Sequence, residues 1–292
     1  MWTTDRSPRI LTAAATVLAV LLALAAAGGI WLPSVYARET PSWTAQGTGQ
    51  DWIDLVVVAP LLAACAVWLR RSRAWQLLFG GALAYLIYSF VLYAFAMHFN
   101  ALFLVYCAVL GVASYALLGL AIVLRRDQPA PAPRLASAGG WFLIVTGVAF
   151  YALWLSSVVP ALIAGEPPAE LAEVGLITNP VHVLDLALVL PALILAGISL
   201  RRRRPLAATV GPIAMTFNAL MSLALVGMML AMRARGLPTD AAVTAVLAVM
   251  CAISAALLAT FLRPATRRSR DPNRSDRTSP ACTSPLPSSA GR

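Results

Sequence analysis

His182 and Asp185 stand three residues apart, the spacing that brings two side chains onto one face of a helix. An imidazole and a carboxylate so placed can pass a proton or hold a cation, and the imidazole titrates near neutrality. Asp54 repeats part of this arrangement, because Asp54 precedes Pro60 by the same interval that separates Asp185 from Pro191. A proline inside a helix cannot donate to the carbonyl four residues back, so free carbonyls are expected at Val56 and Ala187, close to the two acids. Carboxylate plus freed carbonyl is a candidate cation or proton site. His98, the only other histidine, and Asn100 complete the candidate polar set of Asp54, His98, Asn100, His182 and Asp185.

Structural explanations compete at several of these positions. Asp51 and Asp54 have the spacing of a helix N-cap and its third residue, which predicts a capping arrangement. Asn179 followed by Pro180 reads as a cap with proline at the first helical position. Asp185 is too deep to cap: it lies 16 residues, about 24 Å of helix, before Arg201. If Arg201 marks one edge of a roughly 30 Å hydrocarbon core, Asp185 is still within it and needs a partner. His98, His182 and Asp185 are metal-ligand types, and also an acid and a base for chemistry on a lipid or quinone at the outer leaflet. A hydrogen-bonded polar cluster facing the bundle interior, toward the end of the second span or the turn carrying His98, is the expectation preferred here.

The elements that carry these residues are membrane helices. With 60% apolar and 12% charged residues among 292, and a mean hydropathy of +0.79, the chain lacks the polar surface of a soluble globule. Eight stretches reach the length of about 20 residues that a crossing needs: Ile10 to Leu32, Trp52 to Leu69, Ala74 to Met97, Asn100 to Leu124, Trp141 to Ala164, Val181 to Leu200, Leu206 to Met232 and Ala241 to Leu262. The first exceeds a signal-peptide core and is expected to stay as an anchor. The fold class is therefore all-α, a polytopic membrane helix bundle.

Asp54, Pro60 and the cluster Arg70, Arg71, Arg73 recur 131 positions later as Asp185, Pro191 and Arg201 to Arg204. That recurrence predicts two four-span repeats, 1–124 and 141–262, joined by a cytoplasmic linker at 125–140 and followed by a disordered basic tail at 263–292. An even number of spans per unit makes the repeats parallel, related by an axis along the membrane normal. With the N-terminus inside, 19 of the 22 arginines face the cytoplasm and only Arg38, Arg233 and Arg235 lie outside. This predicts a multi-pass protein of the bacterial cell membrane with both termini cytoplasmic.

Tyr85 and Tyr88 in the third span, and Thr216 and Asn218 in the seventh, fall near the bilayer midplane. Hydroxyls and amides at that depth seek each other or a ligand, so they are candidates to line a midplane cavity. Cys65, Cys107 and Cys251 lie in separate spans without paired spacing, and no phosphate-cradling glycine loop, HExxH or GxSxG motif occurs, so no cofactor is expected. The net charge of +10 is spread over short loops and the tail, which argues for membrane lipids and against nucleic acid as a partner.

Gln50-Asp51 through Pro60, Arg70-Arg71-Ser72, Gly81, Tyr85, Tyr88 and Phe99-Asn100-Ala-Leu-Phe103-Leu-Val-Tyr106 resemble the N-terminal half of an uncharacterised group of bacterial integral membrane proteins. Asn179-Pro180-Val-His182 with Asp185 shares the resemblance less specifically. It covers spans two to four and implies no activity, substrate or cofactor. Three readings remain: a transporter of a small solute or cation with paired intramembrane acids, a non-transporting scaffold or ligand-binding module, and a membrane-embedded enzyme at the outer leaflet. No nucleophile or cofactor motif supports the enzyme, and the transporter is the reading carried forward.

Overall fold

Thr40 and Pro41 begin a helix eleven residues ahead of the hydrophobic run that announces it. The Thr40 side chain accepts the Trp43 amide, and Pro41 takes the first helical position, where its missing N–H costs nothing. The computed structural model describes residues 7–124 and 131–263. The predicted tail beyond 263 and residues 125–130 of the predicted linker lie outside the described residues.

The chain forms α1 (Ser7–Trp31), α2 (Pro41–Ile53), the π-helical turn π1 (Asp54–Val58), α3 (Ala59–Trp68), α4 (Arg73–Phe95), α5 (Phe103–Val123) and α6 (Pro133–Ala164). The short α7 (Ala169–Val174) and α8 (Pro180–Leu184) lead into π2 (Asp185–Val189), α9 (Leu190–Arg201), α10 (Ala207–Ala234) and α11 (Ala241–Leu262). Among the described residues, eight helices are long and apolar enough to cross a membrane, α2–π1–α3 and α8–π2–α9 each counting as one continuous span. The protein is an all-helical, integral membrane bundle.

Two boundaries differ from expectation. The second span starts at Pro41 rather than Trp52, which puts Asp51 inside a helix instead of at its cap. The fifth starts at Pro133 rather than Trp141, so the second half of the expected linker is helical. Asn179 does cap its helix, accepting the Val181 amide at 3.0 Å.

Helices α4 and α10 form the centre. They pack on each other, α10 also meets α2, α9 and α11, and α4 meets α5. Helix α1 packs on α3 and α5, and α6 on α9. The α2–α10 crossing depends on glycine: a Cβ on Gly49 would overlap the Gly227 carbonyl and the Met228 Cα. Arg73 donates to the Thr209 hydroxyl at 2.7 Å, tying α4 to α10, and the Arg201 guanidinium lies 3.9 Å from the Trp141 ring centre, tying α9 to α6. Exposed Leu104, Leu118, Leu162 and Val246 give the bundle the apolar exterior that lipid requires.

Candidate functional site

Both aspartates singled out by their prolines open a π-helical turn. The Ala59 amide reaches five residues back to the Asp54 carbonyl, and the Leu190 amide does the same to Asp185. The next residue in each case is proline, which has no N–H to continue that register. In that register the carbonyls left without a donor are those of Leu55 and Leu186, next to the Val56 and Ala187 carbonyls expected from α-helical spacing. The Tyr151 hydroxyl of α6 donates to the Leu186 carbonyl at 2.7 Å.

Around the first acid the interior is polar and sealed. Asp54, 1% exposed, accepts the Tyr85 hydroxyl of α4 at 2.7 Å, and Gln50 donates to that same hydroxyl at 3.4 Å. Asp51, one turn earlier and 2% exposed, accepts hydroxyls from Tyr36 at 2.5 Å and Tyr93 at 2.8 Å. A Cβ on Gly29 of α1 would overlap the Asp51 carboxyl, so only glycine lets α1 approach here. Tyr93 packs on Tyr106 with ring centres 5.2 Å apart, and the buried Tyr106 hydroxyl has no hydrogen-bond partner among the described residues. Tyr36 lies in the α1–α2 connection, where burial first and the neighbouring Asp51 charge second hold its hydroxyl well above the ordinary phenol range.

The second acid sits in a mixed aromatic setting. Asp185, 8% exposed, accepts the Trp154 indole N–H of α6 at 2.7 Å, and Tyr88 of α4 faces it. His182, 7% exposed, packs on Trp154 with ring centres 4.6 Å apart, and its Nε2 has no hydrogen-bond partner among the described residues. Nearer the connection to α7, Ser157 of α6 donates to Glu170, and that hydrogen bond holds the Glu170 carboxyl below the usual carboxylate range. Among the described residues no basic side chain pairs with Asp51, Asp54 or Asp185; the one ion pair joins Glu39 and His98, 3.1 Å apart.

The candidate polar set thus separates into three places. Asp54 belongs to the tyrosine cluster, and His182 with Asp185 to the Trp154 cluster, facing α6 and α4 rather than the second span or the His98 turn. His98 turns to Glu39, which also accepts the His98 amide at 2.7 Å. Asn100 shapes the start of α5, its side-chain oxygen accepting the Leu102 amide at 2.9 Å. The trio of His98, His182 and Asp185 therefore has no shared contact, and among the described residues no three His, Cys, Asp or Glu side chains converge to hold a metal.

The midplane quartet separates as well. Tyr85 serves Asp54, Tyr88 meets Phe217 edge-on with ring centres 6.0 Å apart, Thr216 donates back to the Pro212 carbonyl at 2.9 Å, and Asn218 donates to Ser254 of α11 at 2.8 Å. Of the four, Tyr88 lines an apolar cavity between α4, α9 and α10, and the other three are not in its wall.

Sequence reasoning missed Tyr36, Tyr93 and Trp154, and read Asp51 as a helix cap. A signal existed for Tyr93: with Tyr85 and Ser89 it forms a hydroxyl stripe at four-residue intervals along α4. No family model, no curated protein and no solved structure matches this chain.

Proposed function

We propose that the protein is a proton-linked transporter of a small solute or cation, with its two four-span halves each contributing an acid at a broken helix. The observation that carries this reading is the pair of π-helical turns, each opening at a buried aspartate and each left incomplete by a proline. Interrupted helices place backbone carbonyls where an intramembrane ion or proton can use them. A carboxylate buried away from any basic side chain is costly to keep unless it works with a proton or a cation. With both termini cytoplasmic, as the arginine distribution favours, the acids lie in the outer half of the membrane.

The compactness of the Asp51–Asp54 cluster favours a second reading, a ligand-binding or scaffold protein whose acids are structural. Vesicles reconstituted with the purified protein and loaded with a pH-sensitive dye discriminate the two. A panel of inorganic ions, organic cations and small neutral solutes is added outside, and internal pH is followed. The transporter reading expects at least one solute to drive proton movement in wild-type vesicles, with loss in both Asp54→Asn and Asp185→Asn. Absence of proton or solute movement across the panel, in protein that inserts and folds, overturns it in favour of the scaffold.

A further inference from the structure

A cavity of about 600 Å³ lies between α4, α9 and α10. Leu188, Ala192, Leu195, Val210 and Ile213 make its walls almost wholly aliphatic, and Tyr88 and Phe217 supply its aromatic surface. It follows the sixth span from Leu184 to Ser199, about 22 Å of helix. Leu188 and Leu195 line it while remaining 63% and 64% exposed, so it opens sideways onto the lipid-facing surface. The volume is that of a site for a drug-sized molecule.

Its charge is set at one place. Tyr88 lines the cavity and also faces Asp185, and no basic side chain among the described residues pairs with that acid. Beside it the buried His182 keeps Nε2 without a partner among the described residues. Asp185 lies behind Tyr88 rather than in the wall, and the first acid cluster supplies no wall residue either. We propose that the cavity binds a lipophilic organic cation, its apolar body along the aliphatic slot and its positive centre over the Tyr88 ring, with the Asp185 carboxylate behind that ring supplying the charge that favours a cation. A cation complements the lone carboxylate, an anion of the same shape is repelled by it, and the lateral opening admits a molecule already dissolved in the bilayer. The proposal deepens the transport reading by naming its substrate class, and rests on that reading in treating Asp185 as a working group.

The test is equilibrium dialysis of the full-length protein in detergent against radiolabelled tetraphenylphosphonium, with tetraphenylborate as the counterpart of like shape and opposite charge and protein-free micelles as background. The phosphonium should bind at least about tenfold more tightly than the borate, and Asp185→Asn should weaken it about tenfold or more. Ala192→Trp, which fills the slot without touching the acid, should weaken it similarly. Equal binding of the two ions, or wild-type binding by either Asp185→Asn or Ala192→Trp, overturns the site. Selective phosphonium binding without any proton flux in the vesicles upholds the site and overturns transport. Solute-driven flux together with phosphonium binding that ignores Asp185 does the reverse.

Discussion

Removing the Tyr151 hydroxyl should expose how the broken helix at Asp185 is stabilised. The Leu186 carbonyl has lost both ordinary donors: the Leu190 amide is engaged by Asp185, and Pro191 has none to give. Its partner is the Tyr151 hydroxyl at 2.7 Å, in a half-buried setting. Tyr151→Phe should therefore cost about 1–2 kcal/mol, the lower part of the penalty for a carbonyl left unpaired. Pro191→Ala restores an N–H on the five-residue register. In the wild-type background this should bring little, because the carbonyl is already taken and alanine frees the unfolded chain by about 0.4–1 kcal/mol relative to proline. In the Tyr151→Phe background the restored bond, worth about 1 kcal/mol, should offset that cost, so the coupling between the two changes should be about 1 kcal/mol. The four proteins, unfolded in mixed micelles by increasing mole fractions of a denaturing detergent, give the coupling energy directly. Additivity within about 0.3–0.5 kcal/mol would refute the assignment of Tyr151 as the substitute donor.

Tyr36→Phe and Tyr93→Phe should each destabilise the bundle by about 1–3 kcal/mol, since each removes one donor from the buried Asp51 carboxyl, and the same micelle titration reads the loss. Gly49→Ala should cost about 1–3 kcal/mol because its Cβ meets the α10 backbone, which cannot rotate away. Gly111→Ala, whose Cβ would meet nothing within 4 Å, should be neutral or stabilising, and comparison of melting temperatures separates the two. Glu170 titrates below its ordinary value of 4.5 because Ser157 donates to it. The contact's stabilisation is then present above that ordinary value and is lost as pH falls through the lower folded one. Ser157→Ala should move the Glu170 titration back up toward 4.5, as followed by NMR of carboxyl-labelled glutamate.

The number of spans was legible because apolar run length alone decides a crossing. The starts of α2 and α6 were not. Residues 41–51 hold Ser, Thr, Gln, Gly and Asp, a composition that reads as a loop when taken alone. They form helix because Gly47 and Gly49 let the segment lie against Tyr36 and α10, and because Gln50 and Asp51 find partners inside the bundle. That tertiary support also explains the misreading of Asp51. A cap needs a helix start, and the start lies eleven residues upstream at Pro41.

Asp54 and Asp185 were legible as acids in apolar spans, but their partners were not, because which side chains meet across helices depends on rotation and register that spacing leaves open. The π turns add to this: each shifts the ladder by one residue, which a proline's position announces only in part. Tyr85 and Tyr88 show the consequence. Three residues on α4 correspond to about 4.5 Å of rise and directions about 60° apart, close enough for sequence reasoning to aim both at one cavity. The structure sends Tyr85 to Asp54 and Tyr88 to Asp185. One rigid helix thus carries a tyrosine toward each acid, so a rotation of α4 that withdraws Tyr85 from Asp54 necessarily displaces Tyr88 from its place beside Asp185 and Phe217. The two acids are linked mechanically through α4 even though no side chain of one cluster touches the carboxyl of the other.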